Sequence, residues 1–596
     1  MKFSPAHDVP SARPPLLLAL AAVLSPPLFA QTTSPSVAEL PTVDIVGRTD
    51  SGAYHADEAA GAKTELPLRE LPQSVRTVTR QAMDDLGATK LDDVLDYVGG
   101  VSRQNNFGGL WDNIAIRGLP GNENTGMATL LNGFSSNRGF NAPRDLAGVE
   151  RIEFLKGPAA ALYGSSEPGG TLNIVSKRPQ WKAAHSVEGY LGSYGLRRTA
   201  LDSTGPLSEN FAYRLNVAVE QRDSFRDYVN AKREVLAPAF TWKLGRDTVL
   251  DYVGEVLRHS TPLDRGVVAV NNQLGAVPRN RFLGEPADGN LTVRNQTHQF
   301  SLNHAWNPTW RSRFGLSYRE TSLNGYSTEP TTLQTDGTLT RQRRYRDYTS
   351  NDLAVQAELL GNVQTGALEH ELLLGVENYR FRMDTLMLRV NPSGSAPYAI
   401  NVFDPVYGQA QPTPLANTDT LEHQYNTAFY AQDVVKLGPA WRLIAGLRLD
   451  NYQQTLENRR TNSTTRQTPS AVSPRLGLSW LPTSQWTVYA NAGTSFRPNS
   501  GSDVNGQAFD PEQSEALELG TKWESVNKRL GATAALFDIR KRNVLTTNPA
   551  NTSFSIAAGE IRSKGIEFDL AGQMATHWRV NASLVVNDVE ITKDNT

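Results

Sequence analysis

The feature that most constrains this chain is a two-residue alternation that recurs from about residue 186 onward. In Trp441-Arg442-Leu443-Ile444-Ala445-Gly446-Leu447-Arg448-Leu449-Asp450, one face reads Trp, Leu, Ala, Leu, Leu and the other Arg, Ile, Gly, Arg, Asp. Successive side chains of an extended strand point to opposite faces, so such a segment has one apolar side and one polar, often charged, side. Residues 578–584, 314–319 and 517–523 repeat the pattern. A soluble sandwich would not repeat so many inward Arg and Glu residues. An apolar row opposite a wet row is the signature of a transmembrane β-barrel strand.

Other features agree with a barrel. Tyr190, Trp242, Trp306, Trp310, Trp441, Trp480, Trp486 and Trp578 stand near strand ends, where amphipathic rings anchor at membrane interfaces. Short connections (208–210, 245–247, 438–440, 483–485) alternate with long polar ones (258–297, 322–349, 385–423), as periplasmic turns alternate with extracellular loops. A mean hydropathy of −0.42, with no long apolar run after the N-terminus, excludes a helical membrane protein. A net charge of −2 gives no basic field for nucleic acid. Without cysteine there is no disulfide, thiolate metal site or cysteine nucleophile.

The N-terminal part reads as three units. Lys2 and Arg13 precede the apolar run 16–24, and Ala30 offers a cleavage point, so residues 1–30 are expected to be a signal peptide. Residues 31–64 form a tail, and within it Thr42-Val43-Asp44-Ile45-Val46 is a short β-branched segment suited to adding a strand to another protein's sheet. Residues 65–180 form a compact α/β unit. Helices are expected at 81–86 and 89–97, the second with Leu91, Val94, Leu95 and Val98 on one face and Gly99-Gly100 at its end. Strands are expected at 114–116, 129–131, 149–155 and 171–175.

That α/β unit closely resembles the plug of the TonB-dependent siderophore receptor family. The residues are Leu71-Pro72-Gln73-Ser74-Val75, Ile116-Arg117-Gly118 and the run Val149-Glu150-Arg151-Ile152-Glu153-Phe154-Leu155-Lys156-Gly157-Pro158. The run continues through Leu162-Tyr163-Gly164 and Pro168-Gly169-Gly170 to Leu172-Asn173-Ile174-Val175-Ser176-Lys177-Arg178-Pro179. The resemblance covers about residues 40–596. It implies a monomeric outer-membrane barrel, residues 181–596, with a plug in its lumen that imports a ferric siderophore. The iron is then cargo and not a cofactor. Thr42, Val43, Asp44, Ile45 and Val46 would be the TonB box, engaged by TonB working with ExbB and ExbD. No domain of roughly 80 residues separates signal and box, so the family's transcription-signalling module is not expected.

Glu518 lies between Leu517 and Leu519, and Glu567 between Ile566 and Phe568, so both carboxylates face the lumen. A buried carboxylate needs a cationic partner. By the resemblance, Arg117 and Arg151 match the plug arginines that meet two such glutamates, as a releasable latch or as static folding glue. The resemblance also places ligand contacts in the plug's apical loops. There Asn106, Phe107, Trp111, Asn122, Asn124, Arg138 and Phe140 offer rings, amides and a cation to an oxygen-rich chelate. Arg341, Arg343, Arg344, Tyr345, Arg346 and Tyr348 form a basic–aromatic run that is expected to be solvated, or to draw in an anionic chelate or surface glycolipid.

Competing readings are weaker. The Gly118–Gly126 region lacks the Lys-Ser/Thr of a phosphate loop. His259, His298, His304, His370, His423 and His577 have no ligand spacing, so no protein-held metal is expected. Ser495-Phe496-Arg497-Pro498 also resembles haem receptors, which makes haem or another nutrient the alternative cargo. A passive porin would not need a plug or TonB box, and no Ser/His/Asp set supports a barrel enzyme. About 17 barrel strands are expected against 22 in the family, the last at 578–591, so the barrel is expected to be incomplete at its C-terminal end.

Overall fold

The computed structural model describes residues 54–121, 129–136, 140–391, 398–551 and 554–594. From Ala184–Leu191 to Trp578–Lys593 the chain is a meander of antiparallel strands in sequence order. Two of the nineteen segments described, Ala399–Asn401 and Ser463–Gln467, are short flaps, because the strands flanking each pair directly with one another. Seventeen long strands remain to form the wall, the number expected. No described helix is long and apolar enough to cross a membrane.

The alternation read from sequence sets the two faces of this wall. In Trp441–Asn458, Trp441, Leu447 and Leu449 point outward and are exposed, whereas Ile444, Arg448 and Asp450 are buried. In Glu512–Glu524, Leu517 and Leu519 are 63% and 52% exposed while Glu518 is 5% exposed. The apolar row is thus outside and the polar row inside, the reverse of a water-soluble barrel.

The long connections differ from expectation. Trp310–Leu333 and Thr338–Thr365 are strands of 24 and 28 residues, far longer than the roughly 10 needed to cross a bilayer. Residues 322–349, expected as a loop, are therefore a hairpin paired from Ser322 with Thr349 up to Leu333 with Leu339. Residues 385–390 and 415–423 are likewise strand. Only where one face meets lipid must side chains alternate. Beyond that band neither face meets lipid, and the buried face of this hairpin carries charged residues such as Glu329, Arg341 and Arg346, so the backbone ladder continues while the apolar–polar pattern fades.

The N-terminal unit sits inside the barrel. Its sheet runs in the order Val75–Thr79, Val149–Lys156, Gly170–Ser176, Thr129–Leu131 and Phe134–Ser135. Met83, Leu91, Val94, Ile152, Phe154, Leu172 and Ile174 form its core. The Thr79 side chain caps helix Arg80–Asp85 by accepting from the Ala82 N–H. The second expected helix is a tighter 3₁₀ turn, Leu91–Tyr97, with Asp93 accepting from the backbone N–H groups of Thr89 and Lys90. The Pro168-Gly169-Gly170 motif has a steric reason, since a Cβ on Gly169 would stand 2.2 Å from the Ile116 carbonyl oxygen.

The strand order returns from Trp578–Lys593 to Ala184–Leu191. Both of these strands are exposed along most of their length, unlike the rest of the wall. Among the described residues, antiparallel register runs continuously from one to the other the long way round. In a meander of seventeen wall strands the first and last run in the same direction, so they cannot complete the antiparallel pattern across this seam.

The face assignment predicts that Leu517→Arg destabilises the barrel by about 2–4 kcal/mol, the cost of a cation on the lipid face near mid-membrane. Urea unfolding in lipid vesicles measures it, and a loss under about 0.5 kcal/mol would contradict an outward Leu517.

Candidate functional site

The strands Ile114–Ile116 and Leu119–Pro120 are joined by a two-residue turn, with Ile116 opposite Leu119. Both turn residues have positive φ, Arg117 at 53° and Gly118 at 72°. Such turns favour Asn-Gly, so an arginine at the first position carries local strain. The turn tip is pressed to the wall, because a Cβ on Gly118 would meet Val589 at 2.4 Å. Ser563 Oγ also donates to the Arg117 carbonyl at 2.6 Å.

The strained tip delivers Arg117 to two barrel carboxylates. Its Nη2 lies 2.5 Å from Glu518 Oε2 and 2.6 Å from Glu567 Oε1, and its guanidinium covers the Phe537 ring at 4.3 Å. Arg117 is fully buried. Burial alone would push its pKa down, but Glu518 and Glu567 hold it above the ordinary arginine value. Glu518 also accepts from Tyr489 Oη and the Ser74 N–H, each at 2.8 Å.

Arg151 is not part of this contact. Its Nε donates to Glu153 Oε1 at 2.7 Å, within the plug. The two residues are separated by one position on strand Val149–Lys156 and so share a face, which turns Arg151 away from the barrel glutamates. The second plug cation is Lys156, 2.7 Å from Asp569 and 3.3 Å from Glu567. Sequence reasoning missed both Lys156 and Asp569. Asp569 had a signal, since it follows Glu567 by two residues and shares its inward parity.

The Leu71-Pro72-Gln73-Ser74 motif is the strip that mates with the wall. Lys522 Nζ donates to the Leu71 carbonyl at 2.7 Å, and Asn491 Nδ2 to the Pro72 carbonyl at 2.9 Å. Arg475 donates to Gln73 Oε1 at 2.8 Å. Other ion pairs tie the plug elsewhere. Asp145 bridges Arg198 and Arg233 of the barrel, each at 2.7 Å, with Glu220 beside both arginines. Burial would raise the Asp145 carboxyl, but Arg198 and Arg233 hold it below the usual range. Lys63 pairs with Glu358 at 2.8 Å, and Glu167 pairs with Arg497 and Lys541.

At the opposite end, Phe107, Trp111 and Phe140 are buried instead of offering open faces to a ligand. They form a column with Tyr348, with ring centroids 4.3, 5.9 and 4.8 Å apart in turn, against Leu263, Leu291, Val293 and Leu323 of the wall. The physical reason is that the wall is apolar at this level, so the rings bury against it. Asn106 is exposed, and its Oδ1 accepts from the Gly109 N–H at 3.2 Å, closing its own loop. Asn122, Asn124 and Arg138 lie outside the described residues, as do the expected signal peptide and residues 42–46.

The basic–aromatic run is not simply solvated. Arg341 is buried over the Tyr398 ring at 4.5 Å, and Arg343 pairs with Asp288 at 2.9 Å. Glu329 alone faces three arginines, Arg265 and Arg346 at 2.7 Å and Arg344 at 3.7 Å. Arg265 also covers the Phe107 ring at 4.3 Å. One carboxylate among three guanidiniums leaves a local excess of positive charge directly beside the plug's apex.

Comparisons with known proteins agree with this geometry. The family model described as "TonB dependent receptor-like, beta-barrel" matches residues 240–595, and that of the "TonB-dependent Receptor Plug Domain" matches 67–171. The metal-pseudopaline receptor CntO of Pseudomonas aeruginosa is 40% identical over 585 residues, covering 96% of this chain and 82% of its own. The ferrioxamine B receptor of Salmonella typhimurium is 28% identical over 581 residues, covering 96% of this chain and 80% of its own. The solved structure of the siderophore receptor PiuA from Acinetobacter baumannii superposes with a TM-score of 0.83 at 23% identity. It covers 92% of this chain and 83% of its own, a likeness of fold.

Arg117→Ala takes the paired cation from buried Glu518 and leaves Glu567 only Lys156, and is expected to weaken plug retention by about 3–5 kcal/mol, whereas Arg151→Ala leaves the plug–wall contact intact. Denaturant-induced plug release, followed by protease accessibility, measures both. A double-mutant cycle on Arg117 and Glu567 that returned no coupling would rule out the pair as a latch. For Asp145 the folded pKa is depressed, so its contribution is present above the unfolded value of about 3.9 and is lost as pH falls below it. The Asp145 share of plug retention is therefore expected to be flat from about pH 5 to 8 and to decline progressively below about pH 4.

Proposed function

The chain belongs to the TonB-dependent receptor family, and on that premise we propose that it binds a ferric siderophore at its outer mouth and imports it. The observation that carries this reading is the plug itself. Buried contacts with the wall occupy the lumen from the Leu71–Ser74 strip to the Phe107 column, so cargo passes only when the plug is displaced. A passive porin has no use for such a seal. The energy would come from TonB, with ExbB and ExbD, engaging Thr42–Val46 by strand addition after the signal peptide has directed export to a Gram-negative outer membrane. Release of Arg117 from Glu518 and Glu567 would then accompany the pull.

The cation excess around Glu329 favours an anionic chelate, held by charge-assisted hydrogen bonds beside the apex. A second reading is a chelate whose metal is not restricted to iron. It is favoured because the relative named for metal–pseudopaline is 40% identical and the one named for ferrioxamine B is 28% identical.

Uptake by cells producing the receptor, offered a panel of radiolabelled ferric siderophores and of zinc and nickel chelates, decides between the two cargoes. Ile45→Pro removes a backbone donor from the added strand. It is expected to abolish uptake while leaving surface binding of the same chelate within twofold. Undiminished uptake by Ile45→Pro would overturn the proposed route of energy transfer.

A further inference from the structure

We propose that His55, Asp57 and Glu524 form a divalent transition-metal site that ties the segment entering the plug to the barrel wall. His55 Nε2 lies 3.1 Å from Glu524 Oε1 and 3.9 Å from Asp57 Oδ1, and all three ligand atoms fall within 4.8 Å of one another. An ion held at 2.0–2.2 Å by imidazole and carboxylates sets tetrahedral ligand atoms about 3.3 Å apart. The His55–Glu524 spacing already fits. Asp57, with its side chain 42% exposed, has room to close the rest.

Three further observations favour a built site over a chance ion pair. First, His55 has a seat. Glu524 and Gly531 are register partners on adjacent strands, and a Cβ on Gly531 would stand 2.4 Å from the His55 ring. Only glycine admits the imidazole there. Second, a cavity of about 50 Å³ lies alongside, bordered by His55, Glu524 and Gly531, with Arg69, Arg76 and Lys522 also in its lining and Asp57 outside it. It has room for water that could complete an ion's shell from the His55–Glu524 side. Third, the charges are shared out. Arg69 Nε approaches the other oxygen of Glu524, Oε2, at 3.9 Å, and Arg69 Nη2 bonds Glu70 at 2.8 Å. Glu524 Oε1 is left facing His55. One Nε2 cannot donate well to two carboxylates at once, whereas a cation between them can take one ligand atom from each residue. Imidazole with carboxylates suits zinc, nickel or cobalt.

The site's position gives it a role. Trp523 pairs with Trp486 at the rim of short turns, and Glu524 is the next residue. Residues 54–58 lead from the 42–46 segment into the plug, so a bound ion adds a tether on the path along which any pull arrives. The proposal does not depend on which cargo is carried.

Zn²⁺ titrated into the detergent-solubilised full chain and followed by calorimetry tests the site. One binding event is expected. It should be lost in His55→Gln, weakened at least tenfold in Glu524→Gln and unchanged in His577→Ala, an exposed histidine elsewhere. Co²⁺ should give the visible spectrum of a nitrogen–oxygen site in the wild type only. Hydrogen exchange at residues 55–58 should slow when Zn²⁺ is present. Near-ultraviolet circular dichroism of His55→Gln separates loss of the site from loss of the fold. No Zn²⁺ binding by the wild type, or equal binding by folded His55→Gln, would overturn the proposal and leave His55–Glu524 a plain hydrogen bond.

Discussion

Arg117 between Glu518 and Glu567 is the contact on which the plug's place in the barrel most depends, and it follows from the constraint that builds the wall. A strand with an apolar outer row has a mostly polar inner row, so apolar contact seats the plug only in patches, as where Phe107, Trp111 and Phe140 meet Leu291, Val293 and Leu323. Elsewhere the plug is seated on charges and amides, and buried charges must be paired. Arg117, Lys156 and Asp145 answer that requirement with both polarities. Plug cations meet wall carboxylates on one side, and a plug carboxylate meets wall arginines on another. Such pairs add little net stability, yet removing one partner is expensive. The result is a seal whose register is set by these pairs, with apolar contact gathered in patches such as the Phe107 column and the surroundings of Leu71.

The arginine's backbone sharpens the point. A two-residue turn with two positive φ angles is better served by Asn-Gly than by Arg-Gly. Local preference yields here to a tertiary contact, as it does at sites where strain is part of the design. The neighbouring Gly118 has no such conflict, since it supplies both the backbone conformation and the absence of a Cβ against Val589.

How much of this was legible depended on distance along the chain. The lumen positions of Glu518 and Glu567 followed from parity alone, because Leu517, Leu519, Ile566 and Phe568 mark the outer row. Arg151 was misassigned because its partner is decided inside the plug, by the face it shares with Glu153. The tall hairpin is not legible because above the lipid band its buried face carries Glu329, Arg341 and Arg346, so no apolar–polar alternation marks it. Phe107, Trp111 and Phe140 looked like ligand-facing rings, and the wall residues that cover them, from Leu263 to Tyr348, stand well over a hundred positions away. His55 is 469 positions from Glu524, and no spacing rule spans such a gap.

The ring of ion pairs also bears on how a plug so held can be moved. Breaking a dry buried pair by withdrawing one partner costs about 3–5 kcal/mol. Withdrawing the plug as a rigid body would break the Arg117, Lys156, Asp145, Lys63 and Glu167 contacts together, a cost well beyond one cooperative step. In water the same pairs are worth about 0–1 kcal/mol each. A pull applied at one edge of the short-turn rim opens that edge to water first. Each pair then separates wet instead of dry, and its opening hydrates the next. Sequential loosening from the side nearest residues 54–58 is therefore the path of lower cost. Lys522 and Arg475, which grip the Leu71–Ser74 strip at that end, are the contacts it meets early, and Arg117 is met after them.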